Sequence, residues 1–414
     1  MLLIKCGKVF LGSYEAGSDG QISSKEASEA STAFKTGIFD ILVSNGIIIE
    51  ISEHIPETPE MTVIDASGLI VAPGLVDIHV HFREPGFEYK EDIKTGSEAA
   101  AAGGITTCCC MPNTSPVVDS REIVERITGI AALASVNVLP IGAVTIGQQG
   151  VKLTDFAALK EAGVVALSDD GLPVSNDDVM RKALLEASKN DMLVISHCEK
   201  EETMVVRDIK LVSETNTRVH IAHVSTADAV ESIRNAKEAG IKVTAETCPH
   251  YFSLTNEAVN TKGANAKMSP PLRKQRDVEG IIEGLIDGTI DAIATDHAPH
   301  SEEEKSMPLQ YAPNGILGLE TSLAVTLTYL YHTGKISMEK IIELMSLNPA
   351  ELLNLDAGRL KTGGVADIVI FDTNEEWTVD PLNFKSKSRN TPYGEMRLKG
   401  KVKYTIVRGE VVYS

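Results

Sequence analysis

From residue 74 to residue 297 the chain alternates short apolar runs with longer amphipathic ones. The short runs are GLVDIHVH (74–81), GITTCCCM (104–111), SVNVLPIGA (135–143), GVVALSDD (163–170), DMLVISHC (191–198), TRVHIAHV (217–224), IKVTAETC (241–248) and IDAIATDH (290–297). Runs of this length, apolar on both faces and rich in β-branched residues, predict parallel strands covered on both sides. Between several of them lie stretches with helical spacing: KTGSEAAAAG, TDFAALKEAG, SNDDVMRKALLEASKN and STADAVESIRNAKEAG. The Ser175–Asn176 and Ser225–Thr226 pairs supply side-chain oxygens where two of these helices start, and are expected as N-caps. Eight such β-runs with intervening helices predict repeated βαβ units closed into a TM-free, soluble-type (β/α)8 TIM barrel over residues 71–363. An open doubly wound sheet is the alternative.

The two ends carry a different pattern. DILVSNGIIIEI near the start, and ADIVIFD and KVKYTIVRGEVVYS near the end, alternate with a period of two and have no long helix to cover them. They predict one small β-sandwich domain built from residues 1–70 and 364–414, with the barrel inserted between its halves. Residues 14–36, YEAGSDGQISSKEASEASTAFKT, are too polar to join a core and are expected to form a mobile excursion. The opening MLLIKCGKVF reads as a strand and not as a secretory signal.

Composition narrows the function. No run of eighteen apolar residues occurs, so no membrane span is predicted. With 39 basic and 58 acidic side chains, the net charge of −19 repels nucleic acid and anionic membranes. An anionic substrate would therefore need a local cation to hold it. Six cysteines include the uninterrupted Cys108, Cys109 and Cys110. Neighbours in a strand point to opposite faces and cannot form an ordinary bridge. The trio reads as reduced packing in a cytoplasmic protein, with a redox or zinc role as the other reading.

Functional side chains of such a barrel gather at the C-terminal ends of its strands. His79 and His81 end the first run, Asp170 the fourth, His197 the fifth, His223 the sixth and Asp296 the eighth. His79 and His81 are two apart and share a face, so one metal can take both. Imidazole and carboxylate are the donors of zinc and its first-row relatives. Any one of these histidines alone reads as a satisfied core residue. Four histidines and two aspartates at successive strand ends read as a metal site.

The blocks GLVDIHVHFREPG, MPNT, ALSDDG, SHCE, HIAHVST, TCPHY, SPPLR and ATDHAPH, in this order and spacing, resemble the dihydroorotases of the amidohydrolase superfamily. The resemblance covers most of residues 65–372. It implies that His79 and His81 hold one metal, that His197 and His223 hold a second, and that Asp296 is the last ligand and the proton shuttle. Many relatives bridge the metals with a carboxylated lysine, but VVALSDDG contains none, so an aspartate must substitute. Ala166, Ser168 and Asp170 share a face of small residues, whereas Val165, Leu167 and Asp169 share the apolar one. Asp170 is the better inward ligand, and Asp169 stays as the alternative.

The resemblance further implies that Arg83 holds a substrate carboxylate, helped by Asn113 and His300. His250 and His297 are expected in supporting roles. Two positions depart from the family: Ser269 stands where Asn usually precedes PPLR, and Asn314–Gly315 where Phe-Gly is usual. Both belong to the expected substrate pocket. The stretch between His197 and His223 is also short for the family, reflecting a lost insert or an omitted segment.

The implied activity is the reversible hydrolysis of L-dihydroorotate to N-carbamoyl-L-aspartate in pyrimidine (UMP) synthesis. One or two Zn2+ ions per subunit would activate a shared water for attack on the ring amide. A homodimer, and assembly with aspartate transcarbamoylase, are the partners implied. Two alternatives remain: another cyclic-amide hydrolase acting on hydantoins, dihydropyrimidines or allantoin, and a catalytically silent homologue that serves as an assembly partner.

Overall fold

Eight short strands meet side by side in the middle of the chain: β6 (Leu75–Val80), β7 (Ile105–Cys110), β8 (Asn137–Pro140), β9 (Leu167–Ser168), β10 (Val194–Ser196), β11 (Val219–Ile221), β12 (Val243–Thr247) and β13 (Ala292–Ile293). The computed structural model describes residues 1–11 and 35–414; the excursion expected over 14–36 lies, except for its last two residues, outside the described residues. Pairing is parallel throughout, from β6 to β8 and from β9 to β13. Parallel bridges between Gly142 and Leu167, and between Val80 and His297, join the two arcs and close the barrel. Among the described residues the open doubly wound alternative is therefore not what forms.

Closure has a polar clasp. The Oδ1 of Asp77 on β6 accepts from the backbone N–H of His79 at 3.1 Å and of Thr295, just past β13, at 3.2 Å. Burial pushes the Asp77 carboxyl up to about 7.

Side chains sort by alternation along the strands, with a register shift in β6 between Asp77 and Val80. Val76, Ile78, Cys109, Ile141, Ala166, Ile195, Ala222 and Ala294 fill the barrel interior. Leu75, Cys108, Cys110, Val138, Leu167, Val194 and Ile221 join the larger core between barrel and helices. Cys109 thus packs inward and its neighbours outward, and all six cysteines are free. Ala166 is inside and Leu167 outside, so Asp170 falls in register with the interior face.

The covering helices begin where small polar residues cap them. Asn176 accepts from the N–H groups of Asp178 and Val179 and starts Asp177–Lys189; Thr226 accepts from Ala229 and starts Ala227–Glu238. Asp92 and Asp155 do the same for Ile93–Ala102 and Phe156–Ala162. Glu201–Thr215 leads directly from β10 to β11, filling the short stretch noted in the sequence.

The chain ends build one eight-stranded sheet. It contains β1 (Leu2–Leu11), β2 (Lys35–Ser44), β3 (Ile47–Ser52), β4 (Thr62–Asp65), β5 (Ile70–Pro73), β14 (Ile368–Thr378), β15 (Arg397–Val407) and β16 (Glu410–Tyr413). The sheet forks at β1, whose first half pairs with β4 and whose second half pairs with β5. Gly7 makes the second contact possible, since a Cβ there would lie 2.3 Å from a Val71 methyl. Leu2, Ile4, Ile41, Ile48, Val71, Ile368 and Ile406 form the core of this sheet. The strand β5 straddles the 70/71 boundary read from the sequence. Val71, Ala72 and Pro73 pair within the small sheet, and the barrel starts at Leu75. An apolar run continuous from β5 into β6 hides that junction.

Candidate metal centre and substrate pocket

At the C-terminal mouth of the barrel four histidines converge on one carboxylate. Asp170 Oδ1 lies 3.3 Å from His79 Nε2, 3.3 Å from His197 Nδ1 and 3.4 Å from His223 Nε2. Asp170 Oδ2 lies 3.3 Å from His81 Nε2. Two triads follow, His79–His81–Asp170 and Asp170–His197–His223, and they share Asp170. Asp296 Oδ1 approaches the first of them, at 3.1 Å from His81 Nε2 and 3.6 Å from His79 Nε2.

The neighbouring Asp169 does something else. Its carboxylate accepts from the Thr145 N–H at 3.0 Å and from the Thr145 hydroxyl at 2.5 Å, tying together the loops after β8 and β9. Of the two aspartates left open by the sequence, only Asp170 faces the histidines.

Proton placement tests whether these residues suit a cation. Glu246 accepts from the Nδ1–H of His79 at 2.5 Å, and Asn113 Oδ1 accepts from the Nδ1–H of His81 at 2.9 Å. Each imidazole then turns its Nε2 toward carboxylate oxygens, where it can give a lone pair to a cation or carry a proton itself. His197 Nδ1 and His223 Nε2 lie 2.7 Å apart, both beside Asp170 Oδ1. Imidazole nitrogens and carboxylate oxygens so gathered, in a buried site, fit metal ions between them.

Charge follows the geometry. Burial disfavours ionised Asp170, but the His79 charge and hydrogen bonds from His197, His223 and His79 outweigh it and hold its pKa well below the usual range. Burial also opposes a charged His79, yet Asp170 and Glu246 raise its pKa well above the usual value. Glu246 is fully buried, and despite that burial its two histidine neighbours draw it down to about 2.

Above the cluster opens a cavity of about 270 Å³ lined by His81, Arg83, Asn113, Asp170, His197, Glu199, His223, Ser269, Asp296, His300, Asn314 and Gly315. All residues expected in the substrate pocket meet there. The Arg83 Nε donates to the Pro299 carbonyl at 3.2 Å, and its Nη2 lies 3.5 Å from His300 Nε2. His300 Nε2 donates to the Asn314 carbonyl at 2.8 Å, with Lys90 Nζ 3.4 Å from its Nδ1. Burial and the cations Arg83, Lys90 and Lys305 lower the His300 pKa to about 3. The Asn113 amide spends its oxygen on His81, which leaves its NH2 for the cavity.

Backbone conformation aims several of these groups. Arg83, His223 and Asp296 have φ of 62°, 37° and 48°. Left-handed conformations are rare for side-chain-bearing residues and cluster at functional sites. His297 is turned away: it accepts from the Gly318 N–H at 3.2 Å and its Nε2 lies 3.6 Å from Glu91. His250 is buried against Tyr251, and burial lowers its pKa to about 3.

Glu246 is the main residue that sequence reasoning missed. Its signal was a lone acid inside the apolar run IKVTAETC, where an ionised side chain is fully buried only if paired.

The Amidohydrolase family matches residues 70–412. A dihydroorotase of Acetivibrio thermocellus is 50% identical over 404 residues, spanning 91% of this chain and 95% of that protein. A dihydroorotase of Thermoanaerobacter sp. is 48% identical over 402 residues, spanning 90% and 93%. Among solved structures, the L-hydantoinase (dihydropyrimidinase) from Arthrobacter aurescens has a TM-score of 0.85 at 25% identity, covering 99% of this chain and 95% of that one. The dihydropyrimidinase from Brevibacillus agri has a TM-score of 0.83 at 23% identity and shares the fold. This chain belongs to the amidohydrolase family and, within it, to the dihydroorotases.

Proposed function

We infer that the protein catalyses the reversible opening of L-dihydroorotate to N-carbamoyl-L-aspartate. The observation that carries this reading is the placement of Arg83 in the same cavity as the Asp170 cluster. A guanidinium above a metal-binding carboxylate suits a cyclic amide that also bears a carboxylate. It is also the local cation that a protein of net charge −19 needs to hold an anion.

We propose zinc as the metal, on the donor set of imidazoles and carboxylates. His79, His81 and Asp170 would hold one ion, and Asp170, His197 and His223 the other. Zinc held there supplies Lewis-acid polarisation of the ring carbonyl and acidifies water to near neutrality.

The chain's own groups do the rest. Asp296 takes the proton of the attacking water and returns it to the leaving amide nitrogen, base first and acid second. In the cyclising direction the same carboxyl carries the proton back, and water leaves. Arg83 and the Asn113 NH2 hold the substrate carboxylate, helped by His300, whose ring is fixed by the Asn314 carbonyl. Ser269 and Gly315 bound the ring, Ser269 by a shorter reach than an asparagine would have.

Further proposals follow the same reading. The six free cysteines and the acidic surface suit the cytoplasm. A homodimer and assembly with aspartate transcarbamoylase are proposed as quaternary states, for which light scattering alone and in mixtures is the test.

A panel of rings tests the substrate. L-Dihydroorotate is expected to open, while hydantoin and allantoin stay intact. An inert dihydroorotate beside an opened hydantoin would transfer the protein to the cyclic-imide hydrolases.

A further inference from the structure

Behind the barrel mouth, a line of buried side chains runs back from His79 to residues that take no part in the chemistry above. His79 Nδ1 lies 2.5 Å from Glu246 Oε1, Glu246 Oε2 lies 3.4 Å from His220 Nε2, and His220 Nδ1 lies 2.9 Å from Thr244 Oγ1. His79, His220 and Glu246 are all 0% exposed. An ionised carboxylate only accepts, so His79 points its Nδ1–H at Glu246, while His220 Nε2 stands beside the other oxygen at ion-pair distance without a hydrogen bond. His220 Nδ1 is in turn hydrogen-bonded to the Thr244 hydroxyl, which also reaches the Val219 carbonyl at 3.5 Å. With Nδ1 engaged by Glu246, the His79 nitrogen left to meet a metal is Nε2. It faces Asp170 Oδ1 at 3.3 Å.

A buried carboxylate is costly unless paired, and an apolar residue would fill β12 equally well. The other half of the centre has no counterpart: the Nδ1 of His223 has no hydrogen-bond partner among the described residues.

We propose that Glu246, held in turn by His220 and Thr244, is a positioning residue. It locks His79 in the tautomer and orientation that offer Nε2 to the metal shared with His81 and Asp170. This rests on the two-metal reading of the site and adds an asymmetry to it: one metal position depends on Glu246 and the other does not.

The test is zinc titration of metal-free protein against a competing chelator, for wild type, E246Q and T244V. The unfolding midpoint of each metal-free form is measured alongside. Glutamine keeps the volume and can still accept from His79, but loses the charge. Wild type is expected to take up two equivalents. In E246Q one step should weaken about 10- to 100-fold while the other holds, the usual range for loss of a carboxylate behind a ligating histidine. T244V should weaken the same step by less. Variants that titrate like wild type would overturn the proposal, and so would equal weakening of both steps, which is what general loosening produces. Should E246Q fail to fold, T244V decides on the same criterion. A wild type that binds no zinc would overturn the metal reading itself.

Discussion

Asp170 Oδ1 and His197 Nδ1 lie 3.3 Å apart across the ends of adjacent barrel strands. The same oxygen is 3.3 Å from His79 on the far side of the mouth. One carboxylate therefore belongs to both halves of the centre, while each histidine belongs to one. Removing Asp170 should cost more metal than removing any single histidine. Asp170→Ala is expected to lose both zinc equivalents, and His197→Ala to keep one, as read by atomic absorption after gel filtration. Equal loss in the two variants would deny the shared role.

Asp169 supplies the internal control. Its two bonds to Thr145 are structural, so Asp169→Asn should bind two equivalents while losing about 1–2 kcal/mol of stability for one weakened hydrogen bond. Denaturant unfolding with parallel metal analysis separates the two aspartates.

Arg83→Ala should raise KM for L-dihydroorotate by about 100-fold or more, the scale expected for a lost charge-assisted contact to a carboxylate. Bound zinc should stay at the wild-type level, because Arg83 touches His300 and the Pro299 carbonyl and none of the clustered histidines or aspartates. Metal lost together with binding would show that Arg83 holds the site rather than the substrate.

Glu320 gives a pH-dependent prediction away from the centre. Burial raises its pKa from 4.5 to about 7, although the N–H groups of Lys385 and Ser386 oppose the shift. The folded form thus holds a proton that the unfolded chain releases above 4.5, and the slope of stability with pH is negative in that window. The stability contributed by the protonated carboxyl is complete below pH 4.5 and is lost as pH rises through about 7. Glu320→Gln should match wild type near pH 4.5 and exceed it near pH 8 by on the order of 2 kcal/mol, discounted for partial exposure. Urea midpoints at the two pH values check the sign.

The clustering of the centre's histidines and aspartates was legible because a strand has a period of two and a barrel exposes its strand ends. These rules put His79 beside His81, and Asp170 in register with Ala166 rather than Leu167. Glu246 was not legible for the complementary reason. Its partner His79 is 167 residues away, and no local spacing reveals a pairing made only when closure sets β12 and β6 on either side of β13. The fork at β1 was equally hidden, since it depends on Gly7 letting Val71 approach. The boundary at residue 70 slipped into β5 because β5 and β6 form one apolar stretch that serves two domains.

Asp296→Asn should keep the ring-binding groups and lose the proton carrier. The expected outcome is a fall in kcat of about 10²–10⁴-fold, the usual worth of a general acid–base group, with KM changed much less. A variant with near-normal kcat would remove Asp296 from the proton path.

The most direct measurement is the rate of L-dihydroorotate hydrolysis by protein stripped of metal, verified as metal-free, and then titrated with zinc. The stripped protein should be inactive, and activity should return as zinc fills the centre. Hydrolysis undiminished in the metal-free protein, or absent at full zinc occupancy, would contradict the assignment.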